Sequence, residues 1–389
     1  MTLKKQLLPA ALFAFYALGV TSCFNRDFIE PKPMEVVSTV RHKTQNLVVI
    51  TLDGVRWQEI FRGADSSLLY NPLDVKKDIS WLNSTFWADD VHTRRRKLAP
   101  FFWNEVVSKG VLYGNRDFGS KVSVTNPYKI SYPGYSELFT GYADPNISAN
   151  DYGPNPNYNV FEFFLHQPEF QPTDIAAFSE WDAFTNILNE KRNGLNLFAG
   201  AKDGESVDKI MQDSSTSAVR GELASFDLYS ATDLPDTYDR RVYIAAKAYA
   251  VKYHPKVLYI AFGAADTYGH WRQYDSYLEN IYNVDRMIED LWQYYQSDPD
   301  YKDKTTFFIT TDHGRGEGAL WTDHGPGISH SEEMWIAALG PDTKPQGEIK
   351  LQSQFYQKQV ARSLAAFLGY GVEGTRIMGK RIRQLMNDD

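Results

Sequence analysis

Residues 306–325 read TFFITTDHGRGEGALWTDHG, an apolar run that changes abruptly into a segment of glycines, acids and histidines. The run over residues 306–311 has the length and the β-branched and aromatic content of a strand that is buried on both faces. The triplet Asp-His-Gly follows at Asp312 and recurs at Asp323, although the chain has only 8 histidines. The two triplets are either structural turns or a source of metal ligands.

Two other apolar runs have the same layout as this one. Residues 47–52 lead into Asp53-Gly54, and residues 257–262 lead into Asp266 and His270. Strand-like runs that alternate with helical patterns predict an α/β fold, with a doubly wound, mostly parallel sheet flanked by helices. In such sheets ligands bind beyond the carboxyl ends of the strands, which is where all three runs place an acid.

The helical patterns and the irregular middle complete the predicted architecture. One helix is indicated by apolar residues three, four and seven apart: Tyr274, Leu278, Ile281, Ile288 and Leu291. Similar spacing predicts a helix over residues 354–368. Residues 44–389 are predicted to form a single domain, with irregular insertions around residues 150–250 that we interpret as a cap.

Length and charge limit the classes of function. With 389 residues, 43% of them hydrophobic, the chain can bury a large core. Its formal net charge is −8, which argues against a nucleic-acid partner.

The N-terminus has the pattern of an export signal. Lys4 and Lys5 precede an apolar stretch over residues 7–20, which is too short for a comfortable membrane span. The small residues before Cys23 resemble the lipobox of bacterial lipoproteins, and Cys23 is the only cysteine. We therefore expect a lipoprotein signal peptide over residues 1–22 and lipidation of Cys23. A tether over residues 23–43 would then hold an exported protein on the membrane, facing the periplasm or the cell surface.

The acids and histidines that follow the three runs form a candidate metal-ligand set: Asp53, Asp266, His270, Asp312, His313 and one later histidine. Each pair alone is a weak signal, because Asp266 and His270 could be neighbours on a helix surface and Asp53-Gly54 could be a turn. Together they supply enough oxygen and nitrogen ligands for two three-ligand sites with open positions for substrate. Two divalent cations would also remove the cost of burying three unpaired carboxylates.

A candidate nucleophile stands between the first and second of these segments. Residues 125–141 read TNPYKISYPGYSELFTG, which places Ser131 at the predicted start of a helix that ends in Thr-Gly. The order of an acid after the first strand, this serine, DTYGH at residues 266–270, DHG and a final histidine resembles the alkaline phosphatase superfamily. The resemblance is closest to its nucleotide pyrophosphatase/phosphodiesterase branch.

This resemblance implies a role for each of these residues. Ser131 would be the catalytic nucleophile and would also contact a metal ion. One metal would be bound by Asp53, Asp312 and His313, and the other by Asp266, His270 and the final histidine. The resemblance implies two divalent ions, most often zinc, with manganese as the alternative.

Several positions depart from the pattern of the branch or leave a choice open. Serine replaces the usual threonine at residue 131, and Gly134-Tyr135 replaces Asn-His. His324, followed by glycine, fits the phosphodiesterase pattern for the last ligand and is preferred here, whereas His330 fits the alkaline phosphatase pattern.

The residues that contact the phosphoryl group are not decided by spacing. The expected asparagine is Asn150, Asn155 or Asn157. Lys129 is more simply a surface lysine than a phosphoryl ligand, and Arg56 and Arg62 near Asp53 are equally undecided.

The predicted function is hydrolysis of phosphoric esters, either diesters or monoesters, through a phosphoseryl intermediate. The substrate would be a small-molecule or glycan-linked phosphate ester. A sulfatase-like or phosphonate hydrolase of the same superfamily is the alternative, although Tyr135 stands where sulfatase self-processing needs arginine. A non-enzymatic alternative is a surface lipoprotein that binds glycans or peptides through some of its 24 tyrosines and 9 tryptophans.

Overall fold

The three apolar runs of the sequence form three adjacent strands at the centre of a large sheet. The computed structural model describes residues 31–200, 215–223, 228–229, 238–374 and 376–387. The strands of this part are β1 (Glu35–Thr39), β2 (Asn46–Leu52), β3 (Val111–Tyr113), β4 (Ser120–Ser123), β5 (Ile175–Ser179), β6 (Asn196–Ala199), β7 (Val257–Phe262), β8 (Thr305–Thr310), β9 (Glu333–Met334), β10 (Ile336–Leu339), β11 (Gly347–Glu348), β12 (Ser353–Tyr356) and β13 (Tyr370–Glu373).

The central sheet has eight strands in the order β11-β3-β10-β8-β2-β7-β5-β6. Strand β2 pairs in parallel with β8 on one side and with β7 on the other. Only β10 runs against its neighbours, β3 and β8, among the described strands of this sheet. The parallel direction of β8, β2 and β7 brings the three residues that follow them to one edge.

Helices cover both faces of this sheet. The α-helices of the described part are α1 (Trp57–Arg62), α2 (Ser66–Leu69), α3 (Ile79–Phe86), α4 (Val91–Leu98), α5 (Val107–Lys109), α6 (Ser131–Thr140), α7 (Val160–Leu165), α8 (Phe184–Ile187), α9 (Glu190–Asn193), α10 (Ser215–Leu223), α11 (Tyr238–Tyr253), α12 (Ala264–His270), α13 (Tyr274–Ser297) and α14 (Val360–Phe367). A π-helix spans Phe102–Val106, and short 3-10 helices span Arg116–Phe118, Pro172–Asp174, Gly318–Leu320, Gln357–Gln359 and Arg383–Leu385.

Alternate residues of the central strands pack into two separate cores. In β2, Val48 and Ile50 belong to one apolar cluster, whereas Leu47 and Val49 belong to the other. A strand buried on both faces needs apolar residues at successive positions, which explains the continuous apolar runs in the sequence. The predicted α/β fold with a central, mostly parallel sheet is therefore confirmed.

Some local predictions differ from the structure. The range 150–250 does not consist only of insertions or a cap, because β5 and β6 lie in it and are the last two strands at one end of the central sheet. Within the predicted helix over residues 354–368, the first residues belong to strand β12, which pairs with β4 in a separate three-stranded sheet of order β12-β4-β9, and the α-helix is only Val360–Phe367. Short strands of four or five residues carry too few positions for a clear periodicity.

The N-terminal part also differs from the simple tether that was expected over residues 23–43. Within it, β1 pairs antiparallel with β13. The predicted signal peptide over residues 1–22 and Cys23 lie outside the described residues. No described helix combines the length and the apolar character that crossing a membrane requires.

Candidate metal centre and nucleophile

Three carboxylates meet at the carboxyl edge of the central strands. Asp53 follows β2, Asp312 follows β8, and Asp266 lies in α12 just beyond β7. Gly54 lies between them with a φ of +61°, and its N–H donates to Asp312 Oδ1 at 3.1 Å. A Cβ atom at residue 54 would lie 2.6 Å from Asp266 Oδ1. Glycine is therefore needed here both for the left-handed backbone and for the close approach of the acids.

Two of the histidines are oriented by backbone carbonyl groups. His313 Nδ1 lies 2.9 Å from the Gly314 carbonyl oxygen, and His324 Nδ1 lies 3.1 Å from the Lys129 carbonyl oxygen. A carbonyl oxygen only accepts, so each Nδ1 carries the proton and each Nε2 keeps its lone pair free. Metal-binding histidines are commonly held by such a contact on the other ring nitrogen.

The first group of candidate ligands consists of Asp53, Asp312 and His313. His313 Nε2 lies 3.3 Å from Asp312 Oδ2 and 3.5 Å from Asp53 Oδ1. Asp312 Oδ2 is buried and has no hydrogen-bond partner among the described residues. An ionised oxygen buried without a donor is costly, and a cation between these atoms would remove that cost.

The second group lies beside the first and consists of Asp266, His270 and His324. His270 Nε2 lies 3.2 Å from Asp266 Oδ2 and 3.0 Å from His324 Nε2. His324 Nε2 is 3.6 Å from Asp266 Oδ1. The ring of His313 stacks on that of His324 with centroids 3.9 Å apart, so the two groups form one continuous cluster.

Ser131 is the first residue of α6 and points into the first group. Its Oγ lies 3.2 Å from His313 Nε2 and 3.4 Å from Asp53 Oδ1, and the residue is 4% exposed. The helix can come this close because of Gly134, where a Cβ atom would lie 2.7 Å from the Asp312 carbonyl oxygen. The N-terminus of α6 thus presents a hydroxyl group to the Asp53 carboxylate and the His313 imidazole.

Comparisons with known proteins identify the family of this chain. The profile of one family, described as type I phosphodiesterase/nucleotide pyrophosphatase, matches residues 75–324, well over half of the chain. The chain belongs to this family. A comparison with curated protein sequences gave no match.

Solved structures of the alkaline phosphatase superfamily share the fold of this chain. Wild-type alkaline phosphatase PafA superposes with a TM-score of 0.57 at 9% identity, covering 90% of this chain and 100% of the other. A 2-O GAG sulfatase gives a TM-score of 0.56 at 13% identity, covering 88% and 74%. A putative sulfatase from Bacteroides thetaiotaomicron gives 0.54 at 12% identity, with the same coverages. At these identities the likeness shows the fold alone.

The three carboxylates are all desolvated by burial, but their neighbours give them different pKa values. Desolvation, together with the neighbouring Asp312 and Asp266 charges, raises the pKa of Asp53 well above its usual range. Desolvation and the Asp266 charge also raise the pKa of Asp312 to about 7. Burial disfavours ionisation of Asp266 as well, but Arg315 and His270 overcome it and lower its pKa. Without cations, two of these acids therefore resist ionisation at neutral pH.

The buried imidazoles are shifted in the opposite direction. Desolvation lowers the pKa of His313 to about 4, and desolvation with the nearby His313 lowers that of His324 to about 3. Both rings are therefore neutral at neutral pH, which is the form that binds metal ions. Three carboxylates and three histidines in one cluster, largely buried apart from the exposed His270, fit a pair of divalent cations.

His330, the alternative last ligand, lies in a different cluster. Its Nδ1 is 3.1 Å from Glu333 Oε1, and its Nε2 is 3.6 Å from Glu317 Oε2. Its side chain is 38% exposed. The structure thus brings His324, and not His330, together with Asp266.

Of the three candidate asparagines, only Asn150 lines the cavity that contains Ser131. Its Oδ1 accepts the N–H of Tyr132 at 2.9 Å, which fixes the side chain at the start of α6. Asn155 and Asn157 are buried and donate to Ser136 and Asp144, respectively.

The basic residues near the motifs are paired away from the cluster. Lys129 Nζ donates to Glu332 Oε2 at 2.8 Å, and only its backbone carbonyl reaches the site. Arg56 forms a buried ion pair with Glu59, and Arg62 pairs with Asp117 at the surface.

Two residues contact the cluster that the sequence analysis did not assign to it. Tyr135 donates its hydroxyl hydrogen to Asp53 Oδ2 at 3.0 Å. Arg315, 1% exposed, forms an ion pair with Asp266 and donates from Nε to the Trp321 carbonyl oxygen at 2.9 Å. The only sequence signal for Arg315 is that it follows Asp-His-Gly directly.

Metal binding should weaken as the pH falls. The pKa of Asp312 is about 7 in the metal-free protein, so below that pH a cation must displace its proton. The apparent dissociation constant for zinc or manganese should rise by roughly tenfold per pH unit below neutrality. Equilibrium dialysis with metal analysis between pH 5.5 and 8.5 measures this effect.

Two histidine variants supply the control for this measurement. His324→Gln should lose metal affinity, whereas His330→Gln, which changes the separate exposed cluster, should bind metal as the wild type does. Equal affinity across the pH range, or loss of metal only in His330→Gln, would contradict the assignment of the cluster.

Removing Arg315 should impair the second group of ligands. Arg315→Met deletes the guanidinium that holds Asp266, so metal affinity or turnover should fall about 10- to 100-fold, as for other residues that orient metal ligands. Steady-state kinetics with titrated metal measures the loss. Arg315→Lys keeps the charge but not the planar set of donors, and should recover part of it.

Arg62→Met is the matched control, because it breaks an ion pair whose two side chains are each 44% exposed. It should have little effect on activity. If Arg315→Met matched this control, Arg315 would have no part in positioning Asp266.

Proposed function

We propose that this enzyme hydrolyses phosphodiesters with two bound divalent cations, zinc or manganese, and with Ser131 as its nucleophile. The observation that carries the proposal is the arrangement around Ser131 Oγ. It lies within 3.4 Å of both His313 Nε2 and Asp53 Oδ1, in a cluster that contains the unpartnered Asp312 Oδ2. A hydroxyl beside unpartnered ligands is the arrangement expected of a nucleophile activated by a cation.

The two ligand groups assign the proposed cations. One cation would be held by Asp53, Asp312 and His313 next to Ser131, and the other by Asp266, His270 and His324. When bound, such cations withdraw charge from phosphoryl oxygens and make hydroxyl groups and water more acidic.

The residues of the chain then account for the proposed reaction in two displacements. Ser131 Oγ attacks phosphorus and its proton passes to one ester oxygen as the bond between that oxygen and phosphorus breaks, so an alcohol leaves. Water next attacks the phosphoseryl group, gives its hydroxyl group to phosphorus and a proton to Ser131 Oγ, and so releases the phosphate monoester. The N-terminus of the ten-residue helix α6 favours the negative charge on Oγ and on the phosphoryl oxygens.

Asn150 is proposed to bind a phosphoryl oxygen. Its Oδ1 is already occupied by the N–H of Tyr132, so its amide nitrogen is left to donate. Because Asn150 and Ser131 line the same cavity, this donor can act on the phosphoryl group that Ser131 attacks.

The charge of the cavity favours diesters over phosphate monoesters. Among the described residues that line it there is no lysine or arginine, while Asp53, Glu180, Asp239 and Asp266 all border it. The three ligand carboxylates and two divalent cations leave roughly one positive charge, which matches a monoanionic diester. A dianionic phosphate monoester would carry one more negative charge than this balance neutralises. Sulfate monoesters and phosphonate monoesters are monoanions like the diester, so the same balance admits them, and a kinetic comparison separates them from diesters.

Replacing Ser131 tests the nucleophile. Ser131→Ala should bind both metal ions but lose roughly a thousandfold or more in the rate of hydrolysis of bis-p-nitrophenyl phosphate. Ser131→Thr keeps the hydroxyl and should retain part of the activity. Acid quenching of the wild type followed by mass spectrometry should find the p-nitrophenyl phosphoryl group on Ser131.

The same assay compares substrate classes. The wild type should hydrolyse bis-p-nitrophenyl phosphate with a higher kcat/KM than p-nitrophenyl phosphate or p-nitrophenyl sulfate. Full activity in Ser131→Ala would refute the phosphoseryl route. A preference for the sulfate would favour the sulfatase-like alternative.

We also propose that the enzyme is an exported lipoprotein, anchored through Cys23 and facing the periplasm or the cell surface. The proposal rests on the basic residues, the apolar stretch and the small residues that precede the single cysteine. When the full chain is expressed in a bacterium with labelled palmitate, the wild type should carry the label and fractionate with membranes. Cys23→Ser should be unlabelled; a labelled variant or an unlabelled, soluble wild type would exclude the anchor.

A further inference from the structure

A cavity of about 640 Å³ opens next to Ser131 and Asp266. Its volume is in the range of small-molecule sites, and a phosphoryl group alone would not fill it. Its walls include Trp181, Tyr238 and Trp271, of which Tyr238 is 43% and Trp271 48% exposed. Exposed aromatic rings beside a reactive centre indicate that the group esterified to phosphate packs here.

Glu180 borders the same cavity, and one oxygen of its carboxylate has no hydrogen bond to the described residues. Its Oε1 is buried and has no hydrogen-bond partner among the described residues, and Arg241 Nε is 3.8 Å away. The neighbouring Asp239 differs, because it accepts from the Gly263 N–H and from Asn280 Nδ2, each at 2.9 Å. The terminal torsion of a glutamate is soft, so Glu180 can turn an oxygen towards a donor in the cavity.

The charges around Glu180 limit the ligand. No lysine or arginine is among the described lining residues, so a second anionic group would find no cationic partner here. A cationic group would meet a carboxylate that Arg241 already neutralises in part, and it would lie close to the proposed metal ions. A neutral group with several hydroxyl donors needs no cationic partner, is not repelled by Arg241 or by the proposed metal ions, and can donate to Glu180. The apolar C–H face of a sugar or cyclitol ring also packs well on aromatic rings.

We propose that this cavity binds a neutral polyhydroxylated ring, so that the substrate is a phosphodiester of a sugar or cyclitol. Hydroxyl groups of the ring donate to Glu180, and the ring packs against Trp181. This inference rests on the proposed phosphodiesterase function and specifies its substrate class.

Two matched substrates test the proposal in the metal-loaded wild type. One is the diester of p-nitrophenyl phosphate with the 6-hydroxyl of glucose, and the other is the cyclohexylmethyl diester, which has a similar carbon ring without hydroxyl groups. The glucose diester should have the higher kcat/KM by about tenfold or more, because hydrogen bonds to a charged group are the stronger ones. Most of the difference should lie in KM, because Glu180 contacts the ring and not the reacting atoms.

Variants test which residues recognise the ring. Glu180→Gln keeps the shape of the side chain but removes its charge, and Trp181→Leu removes the aromatic ring on which the sugar packs. Each should reduce severalfold the ratio of kcat/KM between the glucose and the cyclohexylmethyl diester. Glu105→Gln is the matched control, because Glu105 is a half-exposed carboxylate that pairs with Lys109 and borders a different cavity. It should leave the ratio at the wild-type value.

The rates for competing substrates can contradict the proposal in three ways. Equal hydrolysis of the glucose and cyclohexylmethyl diesters would overturn the sugar site while leaving the phosphodiesterase function intact. A higher kcat/KM for the 2-aminoethyl or the thymidine diester, lost in Glu180→Gln, would show that the cavity selects a cation or a base instead. Failure to hydrolyse any diester would overturn the proposed function itself, and the sugar site with it.

Discussion

Three carboxylates converge at one sheet edge because three parallel strands end there side by side. Desolvation by burial and the repulsion between the carboxylates raise the pKa of Asp53 and of Asp312, while Arg315 keeps Asp266 ionised. A protein that only needed a stable fold would gain by replacing these acids with apolar residues. The surrounding structure instead supports the acids. Gly54 and Gly134 allow the chain after β2 and helix α6 to approach them closely. Backbone carbonyl groups orient the rings of His313 and His324 towards them.

The parts of the fold that the sequence predicts are those with a strong local signal. The continuous apolar runs of β2, β7 and β8 identify the central strands, and their acidic endings predict that their carboxyl ends lie at the edge where ligands bind. Strands β5 and β6 have only five and four residues, so their place in the sheet depends on pairing with β7 rather than on their own pattern. Strand β1 is exposed throughout and forms only because β13 lies beside it.

For the site as well, the sequence predicts the residues in short motifs but not the contacts between residues that are far apart in the chain. Short motifs name every member of the ligand cluster, and the family match over residues 75–324 includes all of them except Asp53. The contacts of Arg315 with Asp266, of Tyr135 with Asp53 and of the Lys129 carbonyl with His324 join residues far apart in the chain. No local pattern encodes these contacts, since each depends on how helices and loops pack after the sheet has formed.

The contacts of Gly134 and Tyr135 explain why these two residues can depart from the family pattern. Gly134 allows α6 to pack against the carbonyl of Asp312, and Tyr135 uses that closeness to bind Asp53. An arginine at residue 135, as sulfatase processing requires, would put its charge beside Asp53 and compete with a cation for that carboxylate. With neutral groups at both positions, the positive charge of the site would come from Arg315 and the bound cations, and the walls of the cavity offer mainly aromatic rings and acceptor groups. On the proposed function, such a cavity would hold the phosphoryl group at one end and select its substrates by the neutral group at the other.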